Sequence, residues 1–126
     1  MRFRPEQHLR RQSDIRVVRE QGRRVDCRAF TVWWKRRDVP LETGAPATPR
    51  VCVVASTAAV GAAVSRNRAK RRLREIFRHH QHLVPAGCDL MLIARAAATH
   101  VPLPELAKKF TEACGQIPPP PPSNPA

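Results

Sequence analysis

VSRNRAKRRLREIFR, Val64 to Arg78, is the stretch on which the fold of this 126-residue chain turns. Ala69, Leu73, Ile76 and Phe77 fall at i, i+4, i+7 and i+8, a spacing that puts four apolar side chains on one face of a helix and buries that face. The rest of the circumference carries Arg66, Arg68, Lys70, Arg71, Arg72, Arg74 and Arg78, seven cations with Glu75 as the one acid among them. Ser65 is the N-cap this pattern predicts, which makes Arg66 to Arg68 the first turn. Cations there oppose the positive end of the helix dipole, so helix stability alone would favour acids. The charge is accounted for by an external polyanion that relieves the self-repulsion.

Outward from this helix, Arg50 to Ser56 (RVCVVAS) reads as a continuous apolar strand buried on both sides, and Asp89 to Arg95 (DLMLIAR) as a second buried strand after the break at Pro85-Ala86-Gly87. Strand, long helix and strand make a βαβ unit, with Val51 to Ala55 and Leu90 to Ala94 in one sheet, and the general rule makes such a crossover right-handed. Arg28 to Arg36 (RAFTVWWKR) alternates and is rich in β-branched and aromatic residues, so it is a third strand. Phe30, Val32 and Trp34 share one face of it; Ala29, Thr31, Trp33 and Lys35 share the other, whose polar company leaves Trp33 either packed or in contact with a ligand. Arg37 to Pro49 is turn-rich and reads as a loop. From His8 to Gly22, Ser13 as N-cap, Asp14 in the first turn, Ile15 and Val18 on one face and Gly22 as a stop predict a short helix whose other face shows Arg16 and Arg19, with Arg10 and Arg11 just upstream. Leu103 to Gln116 has Leu103, Leu106, Phe110 and Ala113 at helical spacing. The expected fold is therefore α+β: a single-domain α/β sandwich of a small mixed sheet and three helices over residues 1–117, followed by a proline-rich disordered tail over 118–126.

A net charge of +13 directs the chain to polyanions, and nucleic acid fits better than a membrane because no long apolar segment is present. The first residues, MRFRPEQHLRR, lack the apolar core of a signal peptide, so a cytoplasmic location is expected, with Cys27, Cys52, Cys88 and Cys114 reduced. Those cysteines are separated by 24 or more residues without a CxxC, which suits small apolar fillers better than zinc ligands.

Self-sufficient catalysis finds little support. Metal-assisted phosphodiester cleavage needs converging carboxylates, and the ten acids here are scattered, none within three residues of another. His79, His80 and His82 invite a metal site, since helical spacing places His79 and His82 near each other, but no carboxylate or cysteine accompanies them in the pattern, and cations suit a helix C-terminus.

Arg66-Asn67-Arg68, Lys70-Arg71, Arg74-Glu75 and Phe77 together resemble the RNR signature, RNRxKRxxRExF, of the protein subunit of bacterial ribonuclease P, whose eight fixed positions of twelve far exceed a generic basic run in specificity. The resemblance runs roughly from Leu9 to Gln116. It implies a left-handed βαβ crossover instead of the usual hand. It also implies a subunit that assists a catalytic RNA in the endonucleolytic removal of the 5′ leader from precursor tRNA, with Mg²⁺ required by the RNA, no cofactor on the protein and no catalytic residue in it. Arg66, Asn67, Arg68, Lys70, Arg71 and Arg74 are then the candidates for holding the catalytic RNA. Arg10, Arg11, Ile15, Arg19, Trp33 and Arg50 are the candidates for the cleft that holds the single-stranded leader. The family commonly has aromatic residues where Ile15 and Arg19 stand; here Ile15 can give apolar contact, and Arg19 can stack its guanidinium plane or meet a phosphate. Thr57 and Ala58 replace a basic pair. The partners implied are ribonuclease P RNA and precursor tRNA, without a protein oligomer or a membrane. A generic basic RNA-, ribosome- or DNA-binding protein is the alternative, although neither a helix-turn-helix pair nor the paired stacking aromatics of an RRM sheet are present.

Overall fold

The computed structural model describes residues 12–36, 49–84 and 87–117. The expectations for Arg10, Arg11, residues 37–48, Pro85-Ala86 and the 118–126 tail fall outside the described residues. In chain order come helix α1 (Gln12–Gln21), strands β1 (Arg23–Asp26), β2 (Phe30–Arg36) and β3 (Arg50–Val54), the short helix α2 (Thr57–Val60), the long helix α3 (Ala63–His80), strand β4 (Cys88–Ala94) and helix α4 (Leu103–Gly115). Turns of 3-10 helix at Gln81–Leu83 and Ala96–Thr99 follow α3 and β4.

The four strands lie in the order β1-β2-β4-β3. β1 and β2 are antiparallel, as are β2 and β4, while β3 runs parallel to β4 with Val51 opposite Leu90, so the expected βαβ unit closes through α3. Period-2 alternation divides the sheet into two faces. Phe30, Val32 and Trp34 of β2, Leu90, Leu92 and Ala94 of β4 and Val51 of β3 point into the main core. There they meet Ala69, Leu73, Ile76 and Phe77 of α3 and Leu106, Phe110 and Ala113 of α4. Phe77 and Phe110 join the two helices edge to face, with ring centroids 6.4 Å apart. On the opposite face a smaller cluster forms around Val18 of α1 and Met91 of β4, with Ile15, Trp33, Cys52, Val54 and Ile93 half-buried beside them.

Gly22 closes α1 for a steric reason. Its amide donates to the Val18 carbonyl at 2.9 Å, and a Cβ there would lie 2.2 Å from that oxygen and 2.6 Å from the Trp34 carbonyl oxygen. Only glycine lets the end of α1 come down onto β2.

Several expectations are corrected. β3 is an edge strand with Val51 alone buried and Cys52, Val53 and Val54 half-buried, because α1 packs over β2 and β4 and leaves β3 uncovered on that side. β1 was not expected at all: Arg23-Arg24-Val25-Asp26 has one apolar residue and forms as the antiparallel partner of β2. Ser65 is not the N-cap of α3. The helix starts three residues earlier with Ala62 at the cap position, so Arg66 to Arg68 lie past the first three helical residues, and the Arg66 amide already donates to the Ala62 carbonyl at 2.9 Å. Serine capping occurs upstream, where the Ser56 hydroxyl accepts from the Ala59 amide at 3.1 Å and starts α2, a four-residue helix that adds to the three expected ones. Ser13 likewise lies within α1 and does not precede it. No helix among the described residues is long and apolar enough to cross a membrane.

Candidate nucleic-acid interface

The apolar stripe of α3 locks its rotation, and this decides where each cation points. Asn67, Arg68, Arg71 and Arg74 are exposed, and Arg66 and Lys70 are half-buried at the margins of the stripe. None of these five cations has an acid partner among the described residues. Val64, Asn67, Arg68 and Arg71 line a shallow depression of about 370 Å³ on the outer surface.

Two of the seven cations do not belong to that surface. Arg72 donates to the carbonyls of Ala98, at 3.1 Å, and Val101, fastening α3 to the turn after β4. Arg78 donates to Glu75 Oε1 at 2.6 Å, and His79 meets the same oxygen at 2.7 Å. These hydrogen bonds, that of His79 foremost, hold the Glu75 carboxyl below its ordinary range. The one acid of the helix is thus spent on its last turn, leaving the charge of the remaining cations uncompensated. The histidines do not gather as helical spacing suggested. The helix ends at His80 and His82 falls in the 3-10 turn, where its ring stacks on His80 at 6.5 Å, while His80 meets Phe110 edge-on at 6.4 Å. Among the described residues no three of His, Cys, Asp and Glu come together as a metal site.

The second surface is the uncovered strip of sheet between α1 and β3. Its floor is Cys52, Val54 and Ile93, and Ile15 and Trp33 belong to the same cluster. Trp33 and Trp34 therefore face opposite sides, as their alternation requires: Trp34 enters the main core, and Trp33 sits across from Met91 on the α1 side. Arg16 and Arg19 are exposed on α1, with Arg19 one turn beyond Ile15. Arg50 lies on the same sheet face as Cys52 and Val54, with its guanidinium bound to the Asp89 carboxylate. Thr57 and Ala58 are exposed on α2 and bring no charge.

One link between the two surfaces was not read from the sequence. Burial raises the Cys52 thiol pKa, while Arg74 and, less strongly, Lys70 pull it back, so both α3 cations lie within electrostatic reach of the strip's floor. Helix α3 also packs against β3, the strand that carries Cys52 and Val54, so the RNR helix lies beside the strip. The alternation Arg50, Cys52, Val54 was the available signal for the floor.

Comparison with known proteins agrees with this architecture. The family model for ribonuclease P matches residues 3–118. The ribonuclease P protein component of Acidothermus cellulolyticus is 36% identical over 109 residues, covering 86% of each chain. That of Stutzerimonas stutzeri is 47% identical over 64 residues, which are 51% of this chain and about half (48%) of the relative. The solved ribonuclease P protein of Thermotoga maritima superposes with a TM-score of 0.72 at 23% identity, covering 88% of this chain and 97% of that one, a likeness of fold. With a family match over nearly its whole length, the RNR helix on its surface and the same fold beneath it, this chain belongs to the ribonuclease P protein family.

Proposed function

We propose that this chain acts in ribonuclease P by holding the catalytic RNA on the outer face of α3 and the single-stranded 5′ leader of precursor tRNA in the strip between α1 and β3. Family membership makes it the protein subunit of a tRNA-processing ribonucleoprotein endoribonuclease. The observation that carries the finer reading is the nearness of the two surfaces: α3, with its exposed cations, packs against β3, which supplies Cys52 and Val54 to a half-buried apolar floor shared with Ile93. Arg68, Arg71 and Arg74 meet phosphates of a folded RNA, and the floor with Trp33 takes bases of an unpaired strand. Single strands are recognised in this way, by a positive border that follows the backbone and apolar or aromatic groups that receive base faces. Mg²⁺ belongs to the RNA in this scheme; the chain's part is to bind and orient.

Reconstitution tests it. Added to a bacterial ribonuclease P RNA at low Mg²⁺, the chain is expected to restore cleavage of precursor tRNA and to favour substrates with a leader over mature tRNA in binding. A basic protein that binds RNA without restoring cleavage would contradict the proposal.

A further inference from the structure

The β1–β2 connection is a tight turn at Cys27, Arg28 and Ala29. The Ala29 amide donates to the Cys27 carbonyl at 2.8 Å, and the Cys27 amide to the Phe30 carbonyl at 2.9 Å. Closing so short a turn places Arg28 at φ +67°, in the left-handed region that suits glycine. Asp26 holds it there: one carboxylate oxygen accepts the Arg28 amide at 3.0 Å, and the other accepts from Arg95 at 3.1 Å. A glycine would make this turn without strain. An arginine stands in its place, exposed, with no partner for its guanidinium among the described residues. Backbone strain retained for a side chain that does nothing for the fold is a mark of use.

What Arg28 borders is a cavity of about 410 Å³ between this turn, the 3-10 turn after β4 and α4. Its floor includes buried Cys27, Ala29 and Leu106. Its rim carries Arg28, Lys108 and Lys109 together with Glu105 and Glu112. Lys109 and Glu112 face each other at 3.8 Å, while Lys108 and Glu105 have no side-chain partner among the described residues. The pocket opens beside α4, and α4 packs on the sheet face opposite α1, so it is separate from the strip assigned above to the leader.

We propose that this cavity is a second RNA site that takes one unstacked nucleotide of a single strand, with the base on the apolar floor, its phosphate on Arg28 and Lys108, and an exocyclic amine donating to Glu105 or Glu112. The mixed rim selects for that chemistry. A bare anion would be repelled by the two carboxylates, and a neutral apolar ligand would leave two cations unused. A nucleotide with an amino-bearing base satisfies both signs at once, and carboxylates read the amine of cytosine in this manner. The size lies in the range of sites that enclose small ligands. Burial pushes the Cys27 thiol up to about 11, so the floor is neutral at physiological pH and binding is non-covalent.

The test uses the full chain, labelled for NMR and titrated separately with cytidine monophosphate, uridine monophosphate and inorganic phosphate. The expected result is that cytidine monophosphate shifts the amides of Ala29, Lys108 and Lys109 and binds at least ~10-fold tighter than the uridine nucleotide, with phosphate alone inert there. Arg28→Gly is expected to raise the melting temperature by removing the strain and still to weaken cytidine monophosphate at least ~10-fold, and Lys108→Ala on the exposed side of α4 to weaken it in the same sense. An oligocytidylate is expected to crosslink to the peptide bearing Lys108 and Lys109 when the chain is bound to RNA. Equal shifts from phosphate alone, unchanged affinity in Arg28→Gly and Lys108→Ala, or an oligonucleotide that contacts only the α1–β3 strip would each overturn the proposal.

Discussion

Arg50 and Asp89 stand opposite each other across the parallel β3–β4 pair, and the guanidinium donates through Nε and Nη2 to the two carboxylate oxygens at 2.8 and 2.7 Å. The pair ties together β3 and β4, the one parallel pair among the described strands, at the end where β3 begins. Asp89 is 5% exposed, which makes the guanidinium its compensation for burial. Arg50 was read from the sequence as a residue for the leader; the geometry gives it a structural partner on the same sheet face as the strip.

Removing the guanidinium takes from a buried carboxylate the two hydrogen bonds that Arg50 gives it. Arg50→Ala is expected to destabilise the chain by about 1.5–3 kcal/mol, the range for hydrogen bonds to a charged group. Adding Asp89→Asn to the Arg50→Ala chain should recover part of the loss, since a neutral amide costs less to bury than a carboxylate that has lost its guanidinium. Urea unfolding of the two variants measures this. An Arg50→Ala chain of unchanged stability that binds leader-bearing precursor tRNA poorly would place Arg50 with the leader instead of the fold.

The cations of α3 are expected to separate into two groups. Arg68→Ala, Arg71→Ala and Arg74→Ala together should leave the melting temperature nearly unchanged, because these side chains are exposed. They should weaken binding to ribonuclease P RNA and flatten its salt dependence, by about 0.9 in log–log slope for each phosphate that is no longer neutralised. Arg72→Ala should do the reverse. It removes charge-assisted hydrogen bonds to the Ala98 and Val101 carbonyls, at a cost of roughly 1.5–3 kcal/mol for each acceptor left unmatched, with a smaller change in salt slope. Salt titrations beside thermal melts distinguish the groups.

The four thiols give a map of the strip. Burial pushes Cys27 up to about 11 and Cys114 up to about 12, which keeps both protonated and unreactive near neutral pH. Cys88 is buried as well, whereas Cys52 is half-buried on the strip's floor, and the cations Arg74 and Lys70 oppose the rise of its pKa. Alkylation of the native chain at mildly basic pH should therefore modify Cys52 first. Precursor tRNA with a leader should protect it, and mature tRNA should protect it less. Equal protection by the two would remove the leader from this strip.

How much of this was legible in the sequence follows from which residues have local causes. The α3 stripe of Ala69, Leu73, Ile76 and Phe77 is buried as its period required, and the parallel pairing of β3 with β4 follows from a strand, a helix and a strand in succession. β1 was illegible because its cause is not local: Arg23 to Asp26 is extended by hydrogen bonding to β2, with no apolar alternation of its own. The start of α3 was misread because Ser65 has good capping chemistry, while the turn that enters the helix is set upstream by the α2 cap at Ser56 and by Gly61 at φ +101°. The RNR motif fixes Arg71 and leaves Arg72 at a variable position, but it carries no sign that Arg72 is bound to backbone carbonyls while Arg71 stays exposed. One residue along the chain rotates a side chain by about a quarter turn or more, and only the position of Ala98 and Val101 decides which arginine is used internally. The same holds for the strip, whose lining comes from α1, β2, β3 and β4 and is assembled only in the folded sheet.

The two adjacent tryptophans give the most exacting test, since a strand puts neighbours on opposite faces. Trp34 is buried in the main core, and Trp34→Ala should cost roughly 3–5 kcal/mol through the cavity it leaves between the sheet and the helices. Trp33 is half-buried against the Val18 and Met91 cluster, so Trp33→Ala should cost less stability. Its larger effect should fall on the leader, weakening precursor tRNA by about 1–3 kcal/mol, the range for removing an aromatic that stacks on a base. Mature tRNA has no leader, and its affinity should change little in either variant once the folded fraction is taken into account. Phenylalanine sharpens the comparison: Trp33→Phe keeps an aromatic face and should retain most of the leader affinity that Trp33→Ala loses. If Trp33→Ala instead weakened both tRNAs equally and lowered stability as much as Trp34→Ala, Trp33 would be packing for α1, and the bases of the leader would have to be received by Ile15, Cys52, Val54 and Ile93 without it.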